Sequence, residues 1–146
     1  ENQLVARTSR AIVSTRLVEG HFPPYESVIP TNTDKKIDVN REKLLSAVSR
    51  AALLTSEDSS SILMHVEKGL MRVSSSAPET GEAKVELSVE YDGTELELGF
   101  NPDFLKDFLK AVEEETIRIE CRDSSSAGLF RAGKGFLYVV MPVSRD

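Results

Sequence analysis

From residue 35 onward the chain repeats one arrangement of strand-forming and helix-forming segments, and a sequence that carries the same short unit twice is confined to folds built from two like halves. The first copy opens on the strand Lys35-Lys-Ile-Asp38. Asn40 can then cap a helix running to about Leu54, with Leu44, Leu45, Val48, Ala51 and Ala52 on its buried side. Three strands follow, Ile62 to Lys68, Leu70 to Ser74 and Ala83 to Tyr91. Gly69 turns between the first two, and the last alternates apolar and polar residues. After a turn at Asp92-Gly93 the second copy begins with the strand Glu95-Leu-Glu-Leu98. It passes through Gly99-Phe100 into a helix with Asn101 as cap, Pro102 at its first position and Asp103 in its first turn. Phe104, Leu105, Phe108, Leu109 and Val112 form the apolar stripe, and Glu113 to Glu115 read as a solvated turn. Strands at Thr116 to Arg122, Gly128 to Arg131 and Phe136 to Met141 complete the copy, the last two joined by Ala132-Gly-Lys-Gly135. Each copy is a βαβββ unit of about 50 to 55 residues. Duplicated βαβββ units predict an α+β fold with two helices on one face of antiparallel sheet.

The residues before the repeat behave differently. Leu4 to Thr8 and Ala11 to Val18 read as a hairpin turning at Ser9-Arg10. Two strands alone are marginal in water, so the hairpin is expected to lean on another domain, the chain opening part-way through it. Glu19 to Pro30 holds three prolines and a glycine and reads as an extended linker. The expected boundary lies within it and divides residues 1–25 from residues 26–146.

A net charge of −6 and a pI near 5.0 exclude a protein that coats nucleic acid by bulk charge. No apolar run approaches the roughly 20 residues that cross a bilayer, and Glu1-Asn2-Gln3 does not open a signal peptide, so a cytoplasmic protein with no membrane partner is expected. Cys121 is the sole cysteine; its alternating surroundings make it a buried strand thiol. Walker, Gly-x-Gly-x-x-Gly, Cys-x-x-Cys and His-Glu-x-x-His signatures are all missing, and His21 and His65 lie far apart in sequence. The expectation is a protein that is not an enzyme, with no catalytic residue, metal or cofactor.

Several segments carry a family resemblance: Leu17-Val-Glu-Gly-His-Phe-Pro-Pro-Tyr25, Arg50-Ala-Ala-Leu-Leu-Thr55, Gly99-Phe100-Asn101 and Tyr138-Val-Val-Met-Pro142. Together with the duplicated unit they resemble, over the whole chain, the C-terminal portion of the bacterial DNA polymerase III beta subunit, the beta sliding clamp. The resemblance implies the DNA-clamp fold, in which three similar domains make half a ring and two subunits close head to tail around duplex DNA. Residues 1–25 then correspond to the C-terminal hairpin and linker of the second domain, and residues 26–146 to the third. The implied function is that of a processivity factor, a non-catalytic accessory subunit that tethers the replicative DNA polymerase, the clamp loader and repair proteins through short peptide motifs.

Carried over position by position, the resemblance implies a peptide-binding groove at Pro23, Val28, Asn101, Phe104, Val139, Val140, Met141, Pro142 and Val143. Periodicity alone favours an ordinary core strand for the Val-Val-Met run, and only the resemblance turns it toward the groove. Family members often place an arginine in the linker and a basic or apolar residue at the terminus. Here stand Ser27 and Ser144-Arg145-Asp146, which bears on partner preference. Lys43 and Arg50 on the first helix and Lys106 and Lys110 on the second are the implied contacts to double-stranded DNA, salt-sensitive and independent of sequence. The alternative is a solvated surface on which the lysines pair with Asp103 and Asp107. Leu53 and Leu54 are the implied subunit interface of a head-to-tail homodimer; the alternative is that both enter this domain's own core. A second function stays open beside the clamp: a peptide-binding or assembly module on the same fold without a DNA-encircling role.

Overall fold

The computed structural model describes residues 2–55, 61–77 and 81–143. Strands β1 (Gln3–Arg7) and β2 (Ile12–Arg16) form the expected hairpin in the register Arg7↔Ile12, and every residue of both strands is exposed. The linker is not extended throughout. Tyr25–Val28 makes one 3-10 turn, closed where the Ser27 backbone NH and hydroxyl both donate to the Pro24 carbonyl, at 3.0 and 2.7 Å. Serine at this position thus supplies a local hydrogen bond that lets the chain turn after Pro24. The Ser144-Arg145-Asp146 terminus lies outside the described residues.

Both helices start where the capping residues place them. The Asn40 side chain accepts from the Lys43 backbone NH and opens α1 (Arg41–Ala51); the Asn101 side chain accepts from the Asp103 NH at 2.8 Å and opens α2 (Pro102–Ala111). α1 ends earlier than expected, because Ala52–Leu54 tighten into a 3-10 turn. Leu44, Ala47, Val48 and Ala51 are its buried residues, whereas Leu45 and Ala52, expected on that side, are half-buried. In α2 the Leu105, Phe108 and Leu109 side chains are buried, and Phe104 leaves the stripe at 51% exposure.

The eight remaining strands make two four-stranded antiparallel sheets. One has the order β10-β9-β8-β3 and joins β3 (Lys35–Asn40) to β8 (Thr116–Cys121), β9 (Gly128–Ala132) and β10 (Phe136–Val140). The other has the order β6-β5-β4-β7 and joins β7 (Leu96–Phe100) to β4 (Ile62–Glu67), β5 (Leu70–Ala77) and β6 (Gly81–Ser88). Each copy of the repeat therefore lends its first strand to the other copy's sheet: β3 pairs with β8 from Lys35↔Cys121 to Asn40↔Thr116, and β7 with β4 from Ile62↔Phe100 to Val66↔Leu96.

The sheets are also stitched to each other. Past the end of β6 the chain bends to reach β3, where Asp38 and Glu90 exchange backbone hydrogen bonds at 3.1 and 2.8 Å. At the other seam the Val143 NH donates to the Gly99 carbonyl at 2.8 Å, and a Cβ on Gly99 would stand 3.0 Å from the Val143 oxygen, so this close approach favours glycine.

A single core fills the space among the two sheets and two helices, with fully buried Ile37 and Ile119 from one sheet, Met64 and Leu98 from the other, and Leu44 and Leu105 from the helices. Phe130 lies edge-on to Phe100 and Phe108 at 5.6 and 5.7 Å, while Tyr138 stacks on Phe108 at 5.2 Å. The Ser75 hydroxyl, buried in this core, donates to the Ala51 carbonyl at 2.6 Å and closes the end of α1. Cys121 is the buried strand thiol the sequence implied, and burial pushes its pKa up to about 11, which keeps it protonated and unreactive.

Because the strands are exchanged, the two copies should unfold together. Ile37→Ala in β3 and Leu98→Ala in β7 are each expected to cost about 2–5 kcal/mol and to preserve one cooperative transition when circular dichroism and tyrosine fluorescence are followed side by side. Separate transitions for the two probes would show that the copies are independent.

Candidate functional site

The end of β10 carries most of the candidate groove, and its alternation decides what faces where. Tyr138 and Val140 point toward the helices; the first stacks on Phe108, and the second is 4% exposed within the core. Leu137 and Val139 consequently point to the outer face. Beyond the strand Met141 and Val143 are 64% and 44% exposed. Val139 thus faces outward and the exposed Met141 and Val143 continue from it past the strand end, whereas Val140, also named in the groove from sequence, belongs to the core. Leu137, 41% exposed, extends the row and was missed from sequence, although counting back by twos from Met141 reaches it. Leu129 was missed too. It pairs with Val139 on the outer face and is nevertheless fully buried, separate from the helix-side core.

The segment that leads from the linker into β3 reaches the same face. Thr33 Oγ1 donates to Oε2 of Glu120 at 3.2 Å, and Glu120 lies on the same outer face, beside Leu129 in register. Pro30 to Thr33 line a small cavity with Arg122, Ser126 and Ala127 at the β8–β9 turn. Val140 pairs with Gly128 immediately after that turn, so the end of β10 arrives at the same corner. The hydrogen bond from Val143 to Gly99 then leads the row toward the start of α2, where Asn101 is half-buried and Phe104 exposed. Pro142 is half-buried between Met141 and Val143, while Pro23 and Val28 stand exposed on the linker before the turn enters cover. The arrangement is an open apolar row, floored by strand and flanked by a proline-rich segment. Such a row can accept apolar side chains with little ordering of its own.

On the helices, Lys43 and Arg50 are exposed and have no ion-pair partner among the described residues. They border an open concavity with Ser46, Ala47 and residues Val85 to Ser88 of β6. Lys106 instead pairs with Asp103 at 2.7 Å, as the surface alternative held, while Lys110 is exposed. Leu53 is 80% exposed on the 3-10 turn after α1, and Leu54 is half-buried. Next to that turn β6 ends its sheet, leaving a strand edge beside the exposed leucine, a feature no sequence pattern marked. Among the described residues no group of three His, Cys, Asp or Glu side chains could hold a metal ion, and no helix is long and apolar enough to cross a membrane.

The profile of the family described as DNA polymerase III beta subunit, C-terminal domain, matches residues 26–144. Among curated proteins the beta sliding clamp of Salmonella typhimurium is 36% identical over 144 residues, 97% of this chain and 39% of that protein. The beta sliding clamp of Pseudomonas putida is 37% identical over 145 residues, 98% of this chain and 40% of that protein. The chain therefore spans about two fifths of the length of these relatives. Among solved structures, the DNA polymerase III subunit beta of Pseudomonas aeruginosa superposes with a TM-score of 0.91 at 36% identity, covering 99% of this chain and 40% of that one. A Bartonella birtlesii sliding clamp bound to griselimycin superposes at 0.92 with 28% identity, over 99% of this chain and 40% of its own.

Neighbouring positions should separate cleanly by stability. Val140→Ala, which empties core volume, is expected to cost on the order of 2 kcal/mol, whereas Met141→Ala and Phe104→Ala should each change stability by about 0.5 kcal/mol or less. Urea melts of the three variants test this; a Met141 variant as destabilised as the Val140 variant would place Met141 in the core.

Proposed function

The chain belongs to the DNA polymerase III beta subunit family, through that family's C-terminal domain, and from this premise we propose that it is the C-terminal part of a ring-shaped sliding clamp. In this reading residues 1–25 are the end of the second clamp domain and residues 26–146 the third. The protein is a processivity factor of the cytoplasm and not an enzyme: it encircles double-stranded DNA and tethers the replicative polymerase, the clamp loader and repair proteins. The observation that carries the proposal is the apolar row of half-buried Val139 and exposed Met141 and Val143, tied by the Val143–Gly99 hydrogen bond to the strand that precedes α2. A short peptide with leucine and aromatic anchors fits such a row, since its apolar side chains gain burial against a surface already in place.

Two further surfaces support the ring. Leu53 and the edge of β6 together offer what a strand of a second subunit needs, an apolar contact and a row of unpaired backbone groups, and fit a head-to-tail homodimer. Lys43, Arg50 and Lys110 are cations free to approach phosphates without reading bases, and Lys106 joins them only by leaving Asp103. The acidic chain as a whole suits a protein that slides, because few cations hold the duplex.

Fluorescence anisotropy with a labelled peptide carrying Gln-Leu-x-Leu-Phe tests the groove. Saturable binding is expected, weakened about tenfold or more by Met141→Ala or Phe104→Ala, as for anchor contacts at the centre of an interface. Binding indifferent to both substitutions would remove the groove from this surface.

A further inference from the structure

Glu120 occupies a position that strand alternation assigns to the outer face, yet it is only 8% exposed, and both of its carboxylate oxygens are engaged. Arg131 Nε donates to Oε1 at 2.8 Å from the neighbouring strand, and Thr33 Oγ1 donates to Oε2 at 3.2 Å from the linker. A buried carboxylate with a donor on each oxygen is fixed in place, because releasing either donor leaves charge uncompensated in a site shielded from water. One of its donors sits on a rigid strand and the other on a segment with no regular structure. The geometry thus ties an irregular segment to a rigid one.

We propose that the Thr33–Glu120–Arg131 hydrogen-bonded chain is a strap that holds the linker over the outer face of the β10-β9-β8-β3 sheet and so sets the wall of the peptide groove before any peptide arrives. The inference rests on the groove reading given above and adds positioning residues to it. Register carries the argument from the strap to the groove. Glu120 pairs with Leu129, and Leu129 with Val139, so the strap and the half-buried Val139 of the apolar row lie in one line across three strands. Leu129, between them, is fully buried on this face. In the segment leading to β3, Ile29, Pro30 and Thr33 are half-buried while Thr31 and Asn32 stay exposed, and all of Glu19 to Val28 upstream is exposed. None of the three strap residues lies in the exposed row, so they act on a peptide through the linker. The consequence is kinetic: a loosened strap lowers the fraction of molecules whose groove wall is in place, and apparent affinity falls by that fraction.

Thr33→Val keeps the shape and removes the donor; Thr33→Ser keeps the donor. In 15N relaxation measurements on this chain, Thr33→Val should lower the backbone order parameters of Thr31 to Asp34 to the range of a flexible segment, below about 0.6, and leave the strands unchanged, while Thr33→Ser should match wild type. In stopped-flow binding of the Gln-Leu-x-Leu-Phe peptide, Thr33→Val should slow association about 3- to 10-fold with dissociation unchanged within about twofold, and Thr33→Ser should restore it. Unaltered order parameters in Thr33→Val overturn the strap, whatever the peptide does. Lowered order parameters with unaltered association overturn the link between strap and groove. Lowered order parameters in a chain whose wild type fails to bind the peptide overturn the groove reading, and with it the role assigned to the strap.

Discussion

The exchange of first strands between the two copies of the repeat is the constraint on which the rest depends. With β3 paired to β8 and β7 paired to β4, neither copy can complete its sheet alone, and the loop-closure entropy of joining distant segments is offset only when both sheets form. Backbone hydrogen bonds at Asp38–Glu90 and Gly99–Val143 then fix the sheets against each other at both seams. The helices follow each exchanged strand directly, so their placement is inherited from it. Arg41, first residue of α1, illustrates the coupling: its backbone NH donates to Glu115 beyond α2, and its Nη1 donates to the Leu109 carbonyl at 3.2 Å, near the carbonyl end of α2.

From this frame the functional surfaces fall on different elements of one rigid body. The apolar row lies on the outer face of the sheet that contains β10; the free cations ride on the helices; the exposed leucine and open strand edge sit at the end of α1 and along β6. The proposed function, in which one body grips a peptide, passes over phosphates and closes against a second subunit, needs these surfaces held in constant relation, and a shared core of side chains from both sheets supplies that. The proposed function rests on geometry and burial, and assigns no role to the buried, protonated thiol of Cys121.

How much of this was legible in the sequence varies with the range of the interaction. Helix starts at Asn40 and Asn101 could be read because a cap acts within three residues. The strand exchange could not, since βαβββ describes order along the chain and pairings such as Ile37↔Ile119 join residues remote in sequence. The groove shows both cases. Alternation along Val139, Val140 and Met141 was visible, but alternation alone does not say which parity faces the core, and Tyr138 stacking on Phe108 settles it. Leu129 went unread because a buried leucine in a strand looks the same whichever face buries it; only its register beside Val139 and Glu120 distinguishes them. Phe104 fitted both the helix stripe and the expected groove, and its exposure takes it out of the stripe. The 3-10 turn at Tyr25–Val28 was hidden by neighbouring prolines that read as extended, where a serine hydroxyl and a proline carbonyl favoured turning instead.

The most direct measurement of the central claim, that a peptide is held on the outer apolar row beside a preset linker, is a map of backbone chemical shifts on adding the Gln-Leu-x-Leu-Phe peptide to this chain. The account predicts changes confined to Leu137 through Val143, the linker from Pro23 to Thr33 and the first turn of α2, with the polar side of α1 and the edge of β6 silent. Changes centred on α1 or β6, with Val139, Met141 and Val143 unmoved, would contradict it.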